Sequence, residues 1–290
     1  MGRVVAEPIL KLTGVTFDQL LQRSNPFSGA VCEFDLRDVE LVTPSAVVQI
    51  AAASHALAKD GRPPTIRVER DSVRSYLARC GFIDAVEGVA MMEPAMNGDG
   101  HRFDHLRGSN LHLLEVTKIE NGAALPELLD RIVELLRAKF KYLKYDALDI
   151  ATVISEVTQN TFDHNTGTYG FIALQVYRGK KGRFAEIAVA DCGLGLRTTL
   201  SRNARFRITN DVQAIRLATQ LGVSQHNDET RGTGLHHLLR IAYKHGGSVH
   251  IRSGGGKVSY RGDKQRGYGF AVAPMPGVQI QVHLGRRRTS

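Results

Sequence analysis

Three polar residues near the middle of the 290-residue chain have the types and the spacing to do chemistry together. Glu156, Asn160 and His164 are four residues apart, so a helix would place a carboxylate, an amide and an imidazole along one face. The carboxylate can accept a proton from water or a hydroxyl, and the amide oxygen suits Mg²⁺. Polar residues at this spacing are also typical of an ordinary solvated helix face, so the segment alone does not decide its function.

A second polar segment follows the apolar run from Ile187 to Ala190. It contains Asp191, Gly193 and Gly195 in the order Asp-Cys-Gly-Leu-Gly. An aspartate at the end of a strand can accept a hydrogen bond from an exocyclic amine, while glycines let the backbone approach a flat ring. By itself this sequence is also a common strand-end turn.

A third segment, Arg231-Gly232-Thr233-Gly234-Leu235, opens a helical pattern that extends to Lys244. Glycines at a helix start expose backbone N–H groups, which bind phosphate together with the positive end of the helix. An isolated Gly-Thr-Gly is more often an ordinary turn. All three segments, in this order and each at a predicted strand or helix end, are far less likely to occur together by accident than any one of them alone.

Together, the segments resemble the nucleotide-binding boxes of the GHKL ATPase superfamily, which includes DNA gyrase, chaperone ATPases, histidine kinases and anti-sigma-factor serine kinases. EVTQNTFDH is similar to the N box, DCGLG to the first glycine box, and RGTGL with the following HGG of residues 245–247 to the second. The resemblance covers residues 111–284. It implies a Bergerat-type α/β sandwich, in which ATP binds between helices and one face of a mostly antiparallel sheet. Residues 196–230 take the position of the family's ATP lid, which nucleotide orders.

The resemblance also implies roles for individual residues. Glu156 is expected as the general base, Asn160 as the Mg²⁺ ligand and Asp191 as the residue that contacts the adenine amine. The adenine pocket and the phosphate contacts are assigned to Gly193, Gly195, Gly232, Thr233, Gly234 and Leu235. His164 is expected either near the phosphates or as a cap of its helix, and Arg231 either at the γ-phosphate or in solvent.

Glu156 separates this chain from typical histidine kinases, which have an amide residue at that position and a helical hairpin with a phospho-accepting histidine. No such hairpin pattern precedes residue 111, and His55 lacks the surrounding sequence. The resemblance is therefore closest to the anti-sigma-factor serine kinases, in which water or a serine hydroxyl is activated. A metal-hydrolase interpretation is disfavoured because His101 and His105 alone among the eleven histidines have HxxxH spacing, no HxH group occurs, and His236 and His237 point to different helix faces.

The first 110 residues alternate short strands and helices. Residues 31–39 and 65–69 have strand character, and a helix after the Thr43-Pro44 turn is expected to end at Gly61. Asp71 or Ser72 is expected to cap the following helix. Residues 87–110 are irregular in pattern and are expected to connect two domains, with room for an edge strand.

This first half is similar to a STAS domain, the fold of anti-sigma-factor antagonists, in which a serine at a helix start accepts phosphate. Ser45 falls at that position, although Thr43 and Ala46 replace the usual Asp and Gly. Ser45 is therefore expected either as a phospho-acceptor or as a simple helix N-cap.

From residue 111 the pattern changes to longer elements. Apolar periodicity predicts helices over residues 125–140, 146–164 and 235–244. Strands are predicted over residues 111–119, 170–177, 183–191, 248–253 and 277–284. The predicted fold class is α/β (α+β): a smaller STAS-like domain of residues 1–110 precedes a Bergerat-type ATP-binding domain of residues 111–290.

Composition and charge narrow the class of protein. A hydrophobic content of 42% is typical of folded soluble chains, and no apolar run reaches the roughly 18 residues that a membrane span needs. Three widely separated cysteines favour a reducing compartment, so a cytoplasmic protein is predicted. The net charge of +9 divides into −2 for residues 1–110 and +11 for residues 111–290. This excess predicts an anionic partner in addition to ATP, either a protein or a nucleic acid.

The expected function is a Mg²⁺-dependent ATP switch that hydrolyses ATP or transfers its γ-phosphoryl group to Ser or Thr of a STAS-type or other regulatory protein. One alternative is a module that holds ATP without turnover and sequesters a partner. The other is a nucleic-acid-linked ATPase, for which the chain has basic charge but no helix-turn-helix and no basic strand studded with aromatic residues. A homodimer is compatible with each of these functions.

Overall fold

The computed structural model describes residues 8–29, 31–96, 113–120, 122–163, 169–179, 182–223, 233–261 and 267–285. The fold is mixed α/β, as predicted, with three sheets in the described part. Among the described helices none is both long and apolar enough to cross a membrane.

The N-terminal half contains two small parallel sheets with helices around them. One sheet pairs β1 with β3, and the other has the order β2-β4-β5. The elements are β1 Lys11–Leu12, α1 Thr16–Arg23, β2 Glu33–Asp35, β3 Leu41–Val42, α2 Pro44–Lys59, β4 Thr65–Arg67, α3 Asp71–Arg79, α4 Phe82–Ala85 and β5 Met91–Glu93. The edge strand expected in the connection is β5, and the rest of that connection, from residue 97 to residue 110, lies outside the described residues.

Helix α2 begins and ends where the proline and glycine at its two ends predicted. Pro44 occupies its first turn, and Gly61, just beyond its end, has a φ of +71° that glycine adopts without strain. The capping prediction for α3 was wrong, because the N-cap position is Arg70 and makes no side-chain capping bond. Asp71 is already the first helical residue, where its carboxylate still faces the positive end of the helix dipole.

The C-terminal half is built on one five-stranded sheet of order β6-β7-β8-β10-β9, in which every neighbouring pair is antiparallel. Its elements are β6 Leu113–Ile119, α5 Leu125–Phe140, α6 Lys144–Asp163, β7 Gly170–Gly179, β8 Gly182–Asp191, α7 Gly195–Leu200, α8 Asp211–Ala218, α9 Gly234–Lys244, β9 Ser248–Arg261 and β10 Tyr268–Gly285. The predicted helices and strands of this half are all found, but β9 and β10 are much longer than predicted.

The two faces of this sheet are covered by different parts of the chain. On β8, Ile187 and Val189 belong to a core with α5, α6, α8 and α9, and we call this side the helix face. The alternate residues Ala188 and Ala190 belong to a second core with α2 and the N-terminal sheets, and we call this side the N-terminal face. Alanines on the strands let α2 approach closely, so residues from both halves of the chain contribute to this second core.

A buried cluster of charges also joins the halves on the N-terminal face. Asp18 of α1 accepts hydrogen bonds from Arg252 (Nε to Oδ1, 2.9 Å) and from the Lys257 ammonium. Lys257 also donates to the carbonyl of Gly14 at 2.8 Å. All three charged residues are at most 7% exposed, so this carboxylate neutralises cations that have no access to water.

Candidate functional site

Helices α6 and α9 meet at the residues of two predicted motifs. Gly234, the first residue of α9, lies so close to α6 that an added Cβ would be 3.3 Å from the Cβ of Glu156 and 3.6 Å from Nδ2 of Asn160. A side chain at position 234 would therefore press on Glu156 and lie in ordinary van der Waals contact with Asn160. The structure thus brings the glutamate–asparagine segment and the third glycine segment together.

Glu156 presents a carboxylate that its surroundings leave incompletely bonded. Its side chain is 38% exposed, yet Oε2 itself is buried and has no hydrogen-bond partner among the described residues. Asn160 is exposed one turn farther along α6. A buried carboxylate oxygen without a donor is uncommon in folded proteins and calls for a partner such as water, an ion or a ligand.

His237 is the nearest ionisable neighbour that the structure gives Glu156, with Nδ1 3.9 Å from Oε2. The sequence patterns did not single it out, although its position three residues after Gly234 on one helix was a usable signal. His236 faces elsewhere, as expected, and its Nδ1 lies 3.3 Å from the carbonyl oxygen of Thr219.

Asp191 lies at the end of β8 and is 2% exposed. Its Oδ1 accepts a hydrogen bond of 2.8 Å from the backbone N–H of Gly193, which shapes the turn. An added Cβ on Gly277 would come within 2.0 Å of the Asp191 carbonyl oxygen, so only glycine allows β10 to pass here. Strand alternation places Asp191 on the same side as Ile187 and Val189, which is the helix face.

The first glycine segment is fixed to β9 by Ser253. Gly195 has a φ of +77° and leaves no room for a Cβ, which would be 2.9 Å from the serine Oγ. The same Oγ accepts a 2.8 Å hydrogen bond from the N–H of Leu196. Beside this turn lies a cavity of about 470 Å³, lined by Leu194, Gly195, Arg197, Thr198, Ser201, Asp211, Ser253 and Gly254.

The described part of the expected lid is a packed part of the fold. Residues 196–223 contain most of α7 and all of α8, and Ile215 is fully buried in the core of the helix face. Asn210 caps α8 by accepting a 2.9 Å hydrogen bond from the N–H of Gln213. These residues are therefore not a free-standing loop, and the remaining lid residues, 224–230, lie outside the described residues.

The other predicted site residues are distributed around α9 or lie outside the described part. Thr233 is half-buried, and its carbonyl accepts the N–H of His237 at 2.9 Å. Leu235 is buried in the core under α9, where it packs rather than faces the site. His164, Arg231 and Gly232 lie outside the described residues.

Ser45 lies on the opposite side of the sheet from Glu156. Its N–H donates to Oε1 of Glu186 on β8 at 2.9 Å, and its hydroxyl accepts the N–H of Gly14 at 2.9 Å. The residue is fully buried, so its hydroxyl is not accessible to a phosphate donor in this arrangement. The alternative interpretation of Ser45 as an N-cap was wrong, because Thr43 occupies that position and makes no side-chain capping bond.

Comparison of the chain with models of known protein families and with curated proteins gave no match. Among the described residues there is also no cluster of three or more His, Cys, Asp or Glu side chains that could hold a metal ion. The assignment of the site depends on its motifs and their geometry.

Proposed function

We propose that this chain is a Mg²⁺-dependent ATP-binding protein of the GHKL type, with a Bergerat-type C-terminal half and a STAS-like N-terminal half. Glu156 is the general base for attack on the γ-phosphate by water or by a Ser or Thr hydroxyl of a protein partner. The close approach of Gly234 to Glu156 and Asn160 carries the proposal. It brings together two motifs that are far apart in sequence, since 74 positions separate Asn160 from Gly234.

The residues present fit Mg²⁺ and ATP. Oε2 of Glu156 is buried without a hydrogen-bond partner in the described part of the chain, and the space beside Gly234 is one that a Cβ would fill. Asn160 would provide an amide oxygen to Mg²⁺, which usually binds few protein ligands and completes its shell with phosphate and water. Asp191 would accept the adenine amine, and the N-terminus of α9 would direct backbone N–H groups at phosphate. Bound Mg²⁺ and ATP supply the transferable phosphoryl group and the cation that neutralises its charge.

The protein's own contribution is the placement of a proton acceptor. Glu156 is on the 20-residue helix α6, whose apolar side packs into the core through Val153 and Val157. This packing holds the backbone of Glu156 in place, and with it the point from which the carboxylate extends. Its partly buried position limits competition from bulk water for Oε2. A carboxylate held in this way takes the proton of the attacking hydroxyl as the new bond forms.

The position of Ser45 favours water or a second protein as the acceptor. Ser45 bonds to Glu186 on the N-terminal face, whereas Glu156 lies over the helix face. The five-stranded sheet separates the two residues, so transfer to Ser45 of the same chain would require the halves to come apart. A hydroxyl supplied in trans requires no such separation.

ADP production by wild type and Glu156→Gln tests the proposal. The substitution removes the base and preserves the shape of the side chain, so turnover should fall by about 10²–10⁴-fold while ATP binding measured by calorimetry persists. Glu134→Gln is the matched control, because Glu134 is exposed on α5 away from the site and the substitution should change neither quantity. Equal turnover of wild type and Glu156→Gln would refute the role of Glu156. Tight ATP binding with no turnover in wild type would favour the alternative of a non-catalytic sequestering module.

A further inference from the structure

His237 lies beside the candidate base in a place that no motif assigns. Its Nδ1 is 3.9 Å from Oε2 of Glu156, the same oxygen that lacks a hydrogen-bond partner among the residues that the structure describes. This separation is within the range of an ion pair and is longer than a hydrogen bond. Catalytic hydrogen bonds are often long in ligand-free enzymes and shorten in the reacting complex.

The backbone around His237 is held in position from both sides. The N–H of His237 donates to the carbonyl of Thr233, which closes the first turn of α9. Gly234 brings the start of α9 close to α6, since an added Cβ would lie 3.3 Å from the Cβ of Glu156. Helical side chains lean toward the N-terminus of their helix, and the imidazole is therefore directed toward the predicted phosphate end.

Few other charged groups compete for this pair among the described residues. His236 turns toward Thr219, and Arg240 is exposed one turn farther along α9. At the far end of α9, Lys244 is paired with Asp146 of α6 at 2.7 Å. The strands under α9 present apolar side chains to it. His237 is therefore the one described side chain positioned to orient the Glu156 carboxylate.

We propose that His237 is a positioning residue for Glu156: its Nδ1 orients the carboxylate, so that Oε2 meets the proton of the attacking hydroxyl. His237 forms and breaks no bond in the reaction. This inference rests on the proposed function, whose base it refines.

Turnover of three variants tests the positioning role. His237→Ala should lower kcat for ATP about tenfold through misplacement of the base, and the KM for ATP should change by less than about twofold. His237→Asn places an amide nitrogen near the position of Nδ1 and should restore most of kcat. His236→Ala is the matched control, since that neighbouring histidine faces Thr219, and it should leave both constants unchanged.

Two results would overturn the inference: unchanged kcat in His237→Ala, or equal losses in His237→Ala and His237→Asn, which would indicate packing alone. A measurement without nucleotide separates this inference from the proposed function. At pH 6, the ring NMR signals of His237 should differ between wild type and Glu156→Gln, whereas those of His236 should coincide. An unchanged His237 signal would contradict the pairing even if ATP is hydrolysed. A changed His237 signal in a protein that does not hydrolyse ATP would support the pairing of His237 with Glu156 and refute the proposed ATPase activity.

Discussion

On the N-terminal face of the five-stranded sheet the carboxylates that join the halves are buried and bonded, whereas on the helix face the half-exposed Glu156 carboxylate has an oxygen without a hydrogen-bond partner among the described residues. Asp18 receives two charged donors and Glu186 receives the N–H of Ser45. Glu156, by contrast, has a buried oxygen to which no described residue donates, and an imidazole at 3.9 Å. Completed polar contacts stabilise an interface, and incomplete contacts leave a group available to a ligand.

One strand supplies a carboxylate to each of these environments. Glu186 and Asp191 are five residues apart on β8, and an odd separation places two strand residues on opposite faces. Burial raises the pKa of Glu186, but hydrogen bonds from His283 and Ser45 lower it by a larger amount. The net pKa is therefore below the ordinary value. Glu186 therefore remains charged as part of the interface, and Asp191 is left on the side of the candidate site.

The largest effect is expected when the buried charge cluster is broken at Asp18. Asp18→Asn leaves Arg252 and Lys257 buried without an anion, which should lower the free energy of unfolding by about 3–5 kcal/mol. Burial already lowers the pKa of Arg252 despite the opposing effect of Asp18, so this guanidinium depends on its partner. Urea unfolding at pH 7 measures the change.

Asp35→Asn is the control for this substitution. Asp35 pairs with Arg37 at 2.7 Å, but both side chains are more than 40% exposed. Solvent screens such pairs, so the loss should be below about 1 kcal/mol. Similar losses for the two variants would remove the distinction between a bonded interface and an ordinary surface pair.

A smaller effect of about 3 kcal/mol is expected from the protonation of His250, on the N-terminal face of β9. Burial lowers its pKa to about 4, with further lowering by His283, Lys257 and Arg261. Between about pH 6.5 and 4 the unfolded chain binds a proton that the folded chain does not, so stability falls as the pH falls through this window. Urea unfolding at pH 7.5 and 4.5 should show a drop that is about 2.5 kcal/mol larger in wild type than in His250→Asn, because most but not all of this window is crossed.

The rest of the acid sensitivity should persist in His250→Asn. Burial also lowers the pKa of His55, so its protonation likewise reduces stability as the pH falls. Glu186 contributes stability that is lost only when the pH falls below the ordinary pKa of a glutamate. Equal pH dependence in wild type and His250→Asn would show that His250 is accessible to protons in the folded protein. Water would then reach the N-terminal face of the sheet more readily than the low exposure of its residues indicates.

Local patterns predicted most elements of the fold because they depend on neighbouring residues. Pro44 and Gly61 marked α2, and apolar periodicity marked α5 to within its actual bounds. The long strands β9 and β10 were underestimated because Gly254 and Pro274 are typical of turns. In the structure these residues lie near register shifts, where the two strands bend but remain paired.

The relation between the halves could not be predicted from local patterns. The bond from Ser45 to Glu186 joins residues 141 positions apart, and the pair of Asp18 with Arg252 spans 234 positions. One signal was present: α2 is apolar on all sides, which is typical of a helix buried between two layers. At the candidate site, motif order indicated Glu156 and Gly234, but His237 emerged only from the packing of α9 on α6.

The smallest effect on stability is expected for Gly234→Ala, which separates folding from ligand binding on the helix face. Alanine favours a helix over glycine by up to about 1 kcal/mol, but its Cβ would lie 3.3 Å from that of Glu156 and require a small shift of α6. These effects oppose each other, so the free energy of unfolding should change by less than about 1 kcal/mol. ATP affinity measured by calorimetry should nevertheless fall about tenfold, because the shift displaces Glu156 and Asn160 from the phosphate end of α9. Gly122→Ala is the control, since nothing lies within 4 Å of its Cβ position, and it should leave affinity unchanged. Wild-type affinity in Gly234→Ala would mean that the incompletely bonded face is not where ATP binds.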